Sequence, residues 1–208
     1  MLVHRWDAPT DDTEWATFLA AQGFGHLVAS GRDRDVPIVV PTQFVVDHDE
    51  VLIHLARPNP IWAAIDENRM VVLSVAGDWA YIPAAWKAIA DEDPRYGIPT
   101  TYYGAVQVTG PAEIIDQPDA VADLLRRQLD HLEPDSDRVD PLEHGSRLGQ
   151  IRGLRLLPTE VRAKFKYGGN VDQDHRHAIA DRLAERASPS DVAARVHLLR
   201  RLSDRPTP

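Results

Sequence analysis

The sequence predicts an antiparallel β-barrel with peripheral helices, on three observations. Strand-like runs outnumber helical ones over the first two thirds of the 208 residues. The links between them are mostly shorter than the dozen or more residues that a parallel crossover needs. The clearest helical patterns stand apart from the strands, before the first of them, at 118–132 and at the C-terminus, which is the order of an α+β fold.

Each element has a local reason. Asp11 to Gln22 reads as a helix, with Asp11 and Glu14 as its capping pattern, Trp15, Phe18 and Leu19 on one face, and Gly23 as its stop. Phe24 to Ser30 and Val36 to Val46 are β-rich runs either side of a polar turn at 31–35. A second turn at 47–50 leads into the strand Val51 to Ala56. Asn59 as N-cap and Pro60 at the first helical position start a short helix that runs to Glu67. Met70 to Val75 reads as a strand buried on both faces. The aromatic segment Gly77–Pro83 and a short helical or irregular piece reaching Asp91 come next.

Thr100 to Ile115 is a long strand rich in Thr, Tyr and Val. Val121, Leu124, Leu125, Leu129 and Leu132 form the stripe of a helix over Pro118 to Leu132. Glu133 to Ser146 reads as a loop. Ile151 to Leu157 and Val161 to Lys166 suggest one strand broken at Pro158. Two helices then span Asp174 to Leu202, parted by the cap pair Ser188-Pro189, and Asp204 to Pro208 is expected to fray. A single domain accounts for the pattern, with no repeat and no second core.

Composition narrows the function. The chain is 43% hydrophobic and 26% charged with a net charge of −9, which argues against a nucleic-acid partner. No apolar run is long enough to span a membrane and no signal-peptide core is visible, so a cytoplasmic location is expected. Without cysteine there are no disulfides, thiolate nucleophiles or cysteine metal ligands.

The most informative stretch is His54-Leu-Ala-Arg-Pro-Asn-Pro-Ile-Trp62. A strand hands over to a helix there, and the free N–H groups of the helix start beside Arg57 would suit an anion. Leu52 and Ala56 share a face with His54, which places the imidazole in the interior. Two readings stand level for it, a hydrogen-bonded core residue and a metal ligand. His175 and His177 form a second candidate set whose simpler reading is a solvated helix start, and His26 is a third. His4, His48, His131, His144 and His197 read as surface residues. The chain has three lysines, Lys87, Lys164 and Lys166, among 23 basic residues. Lys87 suits either an exposed charge or a desolvated general base. Lys164 and Lys166 alternate along a strand and share a face suited to carboxylates. Tyr102 and Tyr103 point to opposite faces, so one of them is core packing.

Four ordered blocks then carry a resemblance. His54, Ala56, Arg57, Asn59, Pro60 and Trp62 resemble the His-x-Ala-Arg-x-Asn-Pro-x-Trp segment of the PaiB-type branch of the FMN-binding split-barrel proteins. Gly77 with Ala80–Lys87, Ile98–Tyr103 and Lys164–Asn170 follow in the family's order. The resemblance implies a split β-barrel of the FMN-binding type, mostly β with peripheral helices (α+β). It also implies a homodimer with the cofactor in a cleft between subunits, residues 1–170 as the cofactor-binding domain and 171–208 as a helical extension packed on it. Arg57 and Asn59 would hold the cofactor's acidic group. Trp62, Tyr81, Trp86, Thr100, Thr101 and Tyr102 would line the cleft, and Lys164, Lys166 and Asn170 would close it.

The departures cluster where the cofactor would lie. Ser-Pro-Ser has become Pro83-Ala84-Ala85, Trp-Asn has become Thr101-Tyr102, and Ser-Gln has become Gly168-Gly169. Lost hydroxyls and amides remove partners for a flavin. The two glycines allow either a larger flat ligand or a close backbone approach. In these blocks the chain is most similar to the haem-dependent piperazate synthases. That likeness implies haem b with His54 as ligand, Lys87 and Tyr102 as catalytic residues, and cyclisation of N5-hydroxy-L-ornithine to L-piperazic acid by N–N bond formation. The alternative it leaves is an FMN-binding PaiB-like protein, either a flavin oxidoreductase or a negative transcriptional regulator.

Overall fold

Eight strands and six α-helices make up the computed structural model, which describes residues 1–88 and 93–203. The end of the piece expected to reach Asp91, and the terminus at 204–208, lie outside the described residues. Helix α1 (Glu14–Gln22) precedes β1 (Phe24–Ala29), β2 (Ile38–Gln43), β3 (Val45–Asp47) and β4 (Glu50–Ala56). Helix α2 (Ile61–Glu67), β5 (Met70–Ile82), α3 (Ala84–Lys87), β6 (Thr100–Ile115) and α4 (Pro118–Leu132) follow. The chain ends with β7 (Ile151–Leu156), β8 (Glu160–Lys166), α5 (Gln173–Arg186) and α6 (Pro189–Ser203). The strands are bonded in the order β2-β1-β5-β6-β7-β4-β3, with β8 on β6. The registers of β1 with β2 and β5, and of β4 with β3 and β7, are antiparallel.

Several expectations are corrected. Helix α1 starts at Glu14 because Asp11 instead accepts from Thr13 N at 2.8 Å and holds a turn ahead of it. The run at 36–46 is two strands, since Phe44 N turns aside to Gly23 O at 3.0 Å. Strand β5 continues through the aromatic segment to Ile82. Its first half is buried on one face only: Val71, Leu73 and Val75 are covered while Met70 is exposed. β7 and β8 are separate strands, and 3₁₀ turns occupy Pro141–Gln150 in the expected loop.

The chain divides into two compact units. One comprises Ala16–Val75 and Gln107–Val161. Within it, α4 buries Val121, Ala122 and Leu124, and Val121 and Ala122 gather with Leu148 beside Ile115, Leu125 and Ile151. At about 1.5–3 kcal/mol for each fully buried large aliphatic side chain, this stripe outweighs any helix propensity the segment has.

The other unit comprises Met1–Trp15, Ala76–Val106 and Arg162–Pro208. Here Phe165 of β8 and Tyr167 just after it are fully buried, and the Tyr167 hydroxyl donates to Asp78 O at 2.9 Å. His197 of α6 is no surface residue: it stacks on Tyr167 at 4.7 Å and meets Asp78 Oδ2 at 2.8 Å. The expected cap pair forms at the start of α6. Ser188 N donates to Asp191 Oδ2 at 3.1 Å, and Asp191 N to Ser188 Oγ at 3.3 Å. Hydrogen bonding from Arg186, then from Ser188, lowers the Asp191 carboxyl from its ordinary 3.8 to about 2. A folded-state value below the unfolded one gives stability that is complete above about pH 4 and drains away as the pH falls towards about 2. Asp191→Asn is therefore expected to flatten the fall in melting temperature over that window. Parallel melting curves for variant and parent would exclude this cap as a source of acid sensitivity.

Candidate functional site

The predicted site residues gather in two places, one in each unit. The first is the strand–helix corner after β4. The register of β4 on β7 sets His54 opposite Gly153. Val51, Ile53 and Leu55 take the covered face and Leu52 is also buried, while His54 and Ala56 are exposed. The imidazole is thus not interior as expected, although Leu52 on its own face is buried and Gln128 of α4 reaches the ring from that side. Its Nδ1 lies 2.7 Å from Gln128 Oε1. Gln128 is 3% exposed, and its Nε2 donates to Leu52 O at 2.9 Å.

The rest of this corner is less open to a ligand than the sequence suggests. Arg57 Nε donates to Gly149 O at 2.7 Å, and its Nη1 pairs with Asp116 Oδ1 at 2.7 Å. The guanidinium expected to hold an anion is satisfied within the protein. Asn59 Oδ1 accepts from Ile61 N at 3.1 Å, so the cap forms and fills the helix start it was expected to leave for a ligand. Trp62 is 3% exposed, and its indole N–H donates to Ala56 O at 2.9 Å. It braces the corner from within rather than lining a cleft. The sequence did not single out Gln128, although a signal was there: it stands between Leu124 and Leu132 on the apolar stripe of α4, where a polar residue needs a buried partner.

The second place is a cavity of about 560 Å³, within the range of about 300–1,000 Å³ usual for small-ligand sites. Five predicted residues line it: Lys87, Thr100, Tyr102, Lys166 and Asn170. Lys166 Nζ donates to Thr100 Oγ1 at 2.6 Å. Lys164 and Lys166 flank the Tyr103 ring at 5.8 and 6.0 Å, so they share a face as expected. Lys164 itself is tied to Leu2 O at 3.1 Å and does not line the cavity. Lys87 is half-buried. Desolvation, then the charge of Lys166, holds its ammonium below the ordinary 10.5, against an opposing pull from Asp172. That environment favours the base reading of Lys87 over an exposed charge.

Tyr102 is the core-packing member of its pair. It is 1% exposed, its hydroxyl has no hydrogen-bond partner, and burial pushes the phenol well above its usual range. It therefore stays a neutral phenol across the physiological range. A Cβ on Gly168 would meet that hydroxyl at 2.5 Å, and one on Gly169 would lie 2.1 Å from Trp6 O. The two glycines serve close approach and leave no extra room for a flat ligand. His175 also lines the cavity, half-buried, so the solvated helix start expected for it is corrected. Burial, then Lys87, lowers its pKa. Three further residues lie elsewhere or line neither place. Trp86 carries the Arg186 guanidinium 4.7 Å over its ring, Tyr81 is 51% exposed, and Thr101 is half-buried on β6.

These features define an antiparallel α+β protein with an outward-facing histidine on one strand and a lysine-lined cavity. Residues 1–157 match the family described as "Putative FMN-binding domain", and the chain belongs to that family. No curated protein matches it in sequence. Among solved structures it is similar to the flavocytochrome Anf3 from Azotobacter vinelandii, with a TM-score of 0.63 and 22% identity, over 85% of this chain and 78% of that one. The FAD and heme binding protein from Mycobacterium smegmatis is similar with a TM-score of 0.60 and 19% identity, over 83% and 78% of the two chains. A conserved hypothetical protein from Mycobacterium tuberculosis gives 0.60 and 15%, over 83% and 95%. At these identities the likeness concerns the fold, which is the one shared with FMN-binding split-barrel structures. Among the described residues no helix is long and apolar enough to cross a membrane.

Proposed function

We propose that this family member binds haem b with His54 as axial ligand and acts, as a homodimer, as a piperazate synthase-like N–N bond-forming cyclase. The observation that carries the cofactor is the contact of His54 with Gln128. Ligating histidines almost always give their second ring nitrogen to a carbonyl or carboxylate, and His54 has that arrangement with its ring exposed. The residues present therefore fit an axial ligand. Bound haem would supply a Lewis-acidic iron able to polarise an N–O bond.

The remaining chemistry falls to the chain's own groups. Lys166 and Thr100 offer a cation and a hydroxyl to a substrate carboxylate, and Asn170 adds an amide. Lys87, neutral more readily than an ordinary lysine, takes a proton from a substrate ammonium and frees its lone pair to attack the hydroxylamine nitrogen, whose N–O bond breaks as the hydroxyl leaves with a proton as water.

FMN is the second reading, favoured by the family match over residues 1–157. Its phosphate would find Lys87, Lys166 and Thr100 in the same cavity. Offering haem and FMN separately to the purified protein decides between the two. The expected result is a Soret band, on a particle whose sedimentation mass equals two chains, followed by turnover of N5-hydroxy-L-ornithine. A bound flavin spectrum with no Soret band would overturn the haem reading and leave the flavin oxidoreductase.

A further inference from the structure

The tautomer of His54 follows from the hydrogen bonds of Gln128, 74 residues further along the chain on α4. Gln128 is buried, and its amide has two neighbours of known character. Leu52 O is a carbonyl and can only accept, so the group 2.9 Å from it must be the NH₂ end of the amide. The amide oxygen is then the atom that faces His54 Nδ1 at 2.7 Å. A carbonyl oxygen can only accept, so Nδ1 carries the proton. In the neutral ring Nε2 is left with a lone pair, on a side chain that stands exposed on β4. A flipped amide would set NH₂ against whichever ring nitrogen it met and oxygen against the Leu52 carbonyl, losing one bond and adding a repulsion.

We infer that Gln128 is a positioning residue, holding His54 as the Nδ1–H tautomer with Nε2 presented as its ligating nitrogen. The choice of acceptor has a chemical consequence. On the same helix, His131 faces a carboxylate, with its Nε2 3.4 Å from Asp47 Oδ1. His54 has been given a neutral amide instead. A carboxylate partner draws the Nδ1 proton and makes the imidazole a stronger donor to a metal, which lowers the reduction potential. An amide oxygen carries no full charge and draws that proton less. Burying a glutamine for this is otherwise unfavourable, since an apolar residue at that point of the stripe would need no partner.

The inference rests on the haem reading for its purpose but not for its test. In the cofactor-free protein, the ¹⁵N shifts of the His54 ring at one fixed pH are expected to report a protonated Nδ1 and a bare Nε2. Gln128→Met, which keeps the volume and removes the acceptor, is expected to give a mixture of tautomers. In haem-loaded protein the same variant is expected to lower haem affinity about 10- to 100-fold. Gln128→Glu is expected to raise the Fe–His stretching frequency and shift the reduction potential negative. Far-UV circular dichroism establishes that both variants are folded. Unchanged ring shifts in Gln128→Met would overturn the inference, whether or not haem binds. The expected ring shifts without any Soret band would leave Gln128 as the positioning residue and sink the haem reading alone.

Discussion

His54→Ala is expected to abolish the Soret band of the haem-loaded protein while leaving the chain folded. A group that only orients a ligand is worth about 10- to 100-fold in metal affinity, so losing the ligand itself should cost about a hundredfold or more. The fold should tolerate the change because the imidazole is exposed and its neighbour across the ladder, Gly153, has no side chain to strand. The cost to stability is confined to Gln128 Oε1, which loses its partner, at about 1–3 kcal/mol for a buried unsatisfied acceptor. His54→Gln offers that acceptor an amide donor and separates the two effects: stability should recover and the Soret band should not. Full retention of the band in both variants would move the ligand to another histidine, His26 on β1 or His175 on the cavity wall.

Breaking the ion pair of Glu14 and Arg201 is expected to produce the largest loss of stability. Arg201 Nη2 donates to the Glu14 carboxylate at 2.9 and 3.1 Å, and both side chains are 1% exposed or less. Thr10 N adds a third bond to Glu14 at 2.7 Å, and the guanidinium lies 5.1 Å over Phe165 and 5.6 Å over Tyr167. Removing either partner leaves a buried charge, at about 3–5 kcal/mol. For a chain of this size that corresponds to roughly 6–20 °C in melting temperature. The pair need not be stabilising as a whole, because two charges must be desolvated to form it. Glu14→Leu combined with Arg201→Met should therefore recover much of what either single change loses. Single variants that melt within a degree or two of the parent would show that the surroundings can solvate the orphaned charge.

Elements whose causes are local are legible in the sequence. Strand β6 runs from Thr100 to Ile115 as the Thr/Tyr/Val pattern predicted, and α4 covers Pro118–Leu132 as its apolar stripe required. Gly23 stops α1 with φ +59, a conformation its neighbours would resist. Strand β5 was misread past Val75 because Gly77-Asp78 has the composition of a turn. Asp78 does take a left-handed φ of 50, yet the strand continues, held there by Tyr167 and His197 from the far end of the chain.

The candidate site was legible in its residue types and only partly in their roles. Lys87, Thr100, Tyr102, Lys166 and Asn170 line one cavity, while Tyr81, Trp86, Thr101 and Lys164 do not. Arg57 looked available to a ligand because nothing in its own segment opposes it; its partners Gly149 and Asp116 come from elsewhere. The sequence alone determined the strand at Val51–Ala56 and the bond of Asn59 to the helix start, because those depend on neighbours within a turn or two. That His54 stands exposed at the end of a face where Leu52 is buried, with Nδ1 held by Gln128, was decided only in the tertiary structure. Burial and hydrogen-bond partnership belong to whatever packs against a strand, and that partner, α4, is specified by its own apolar stripe far along the chain.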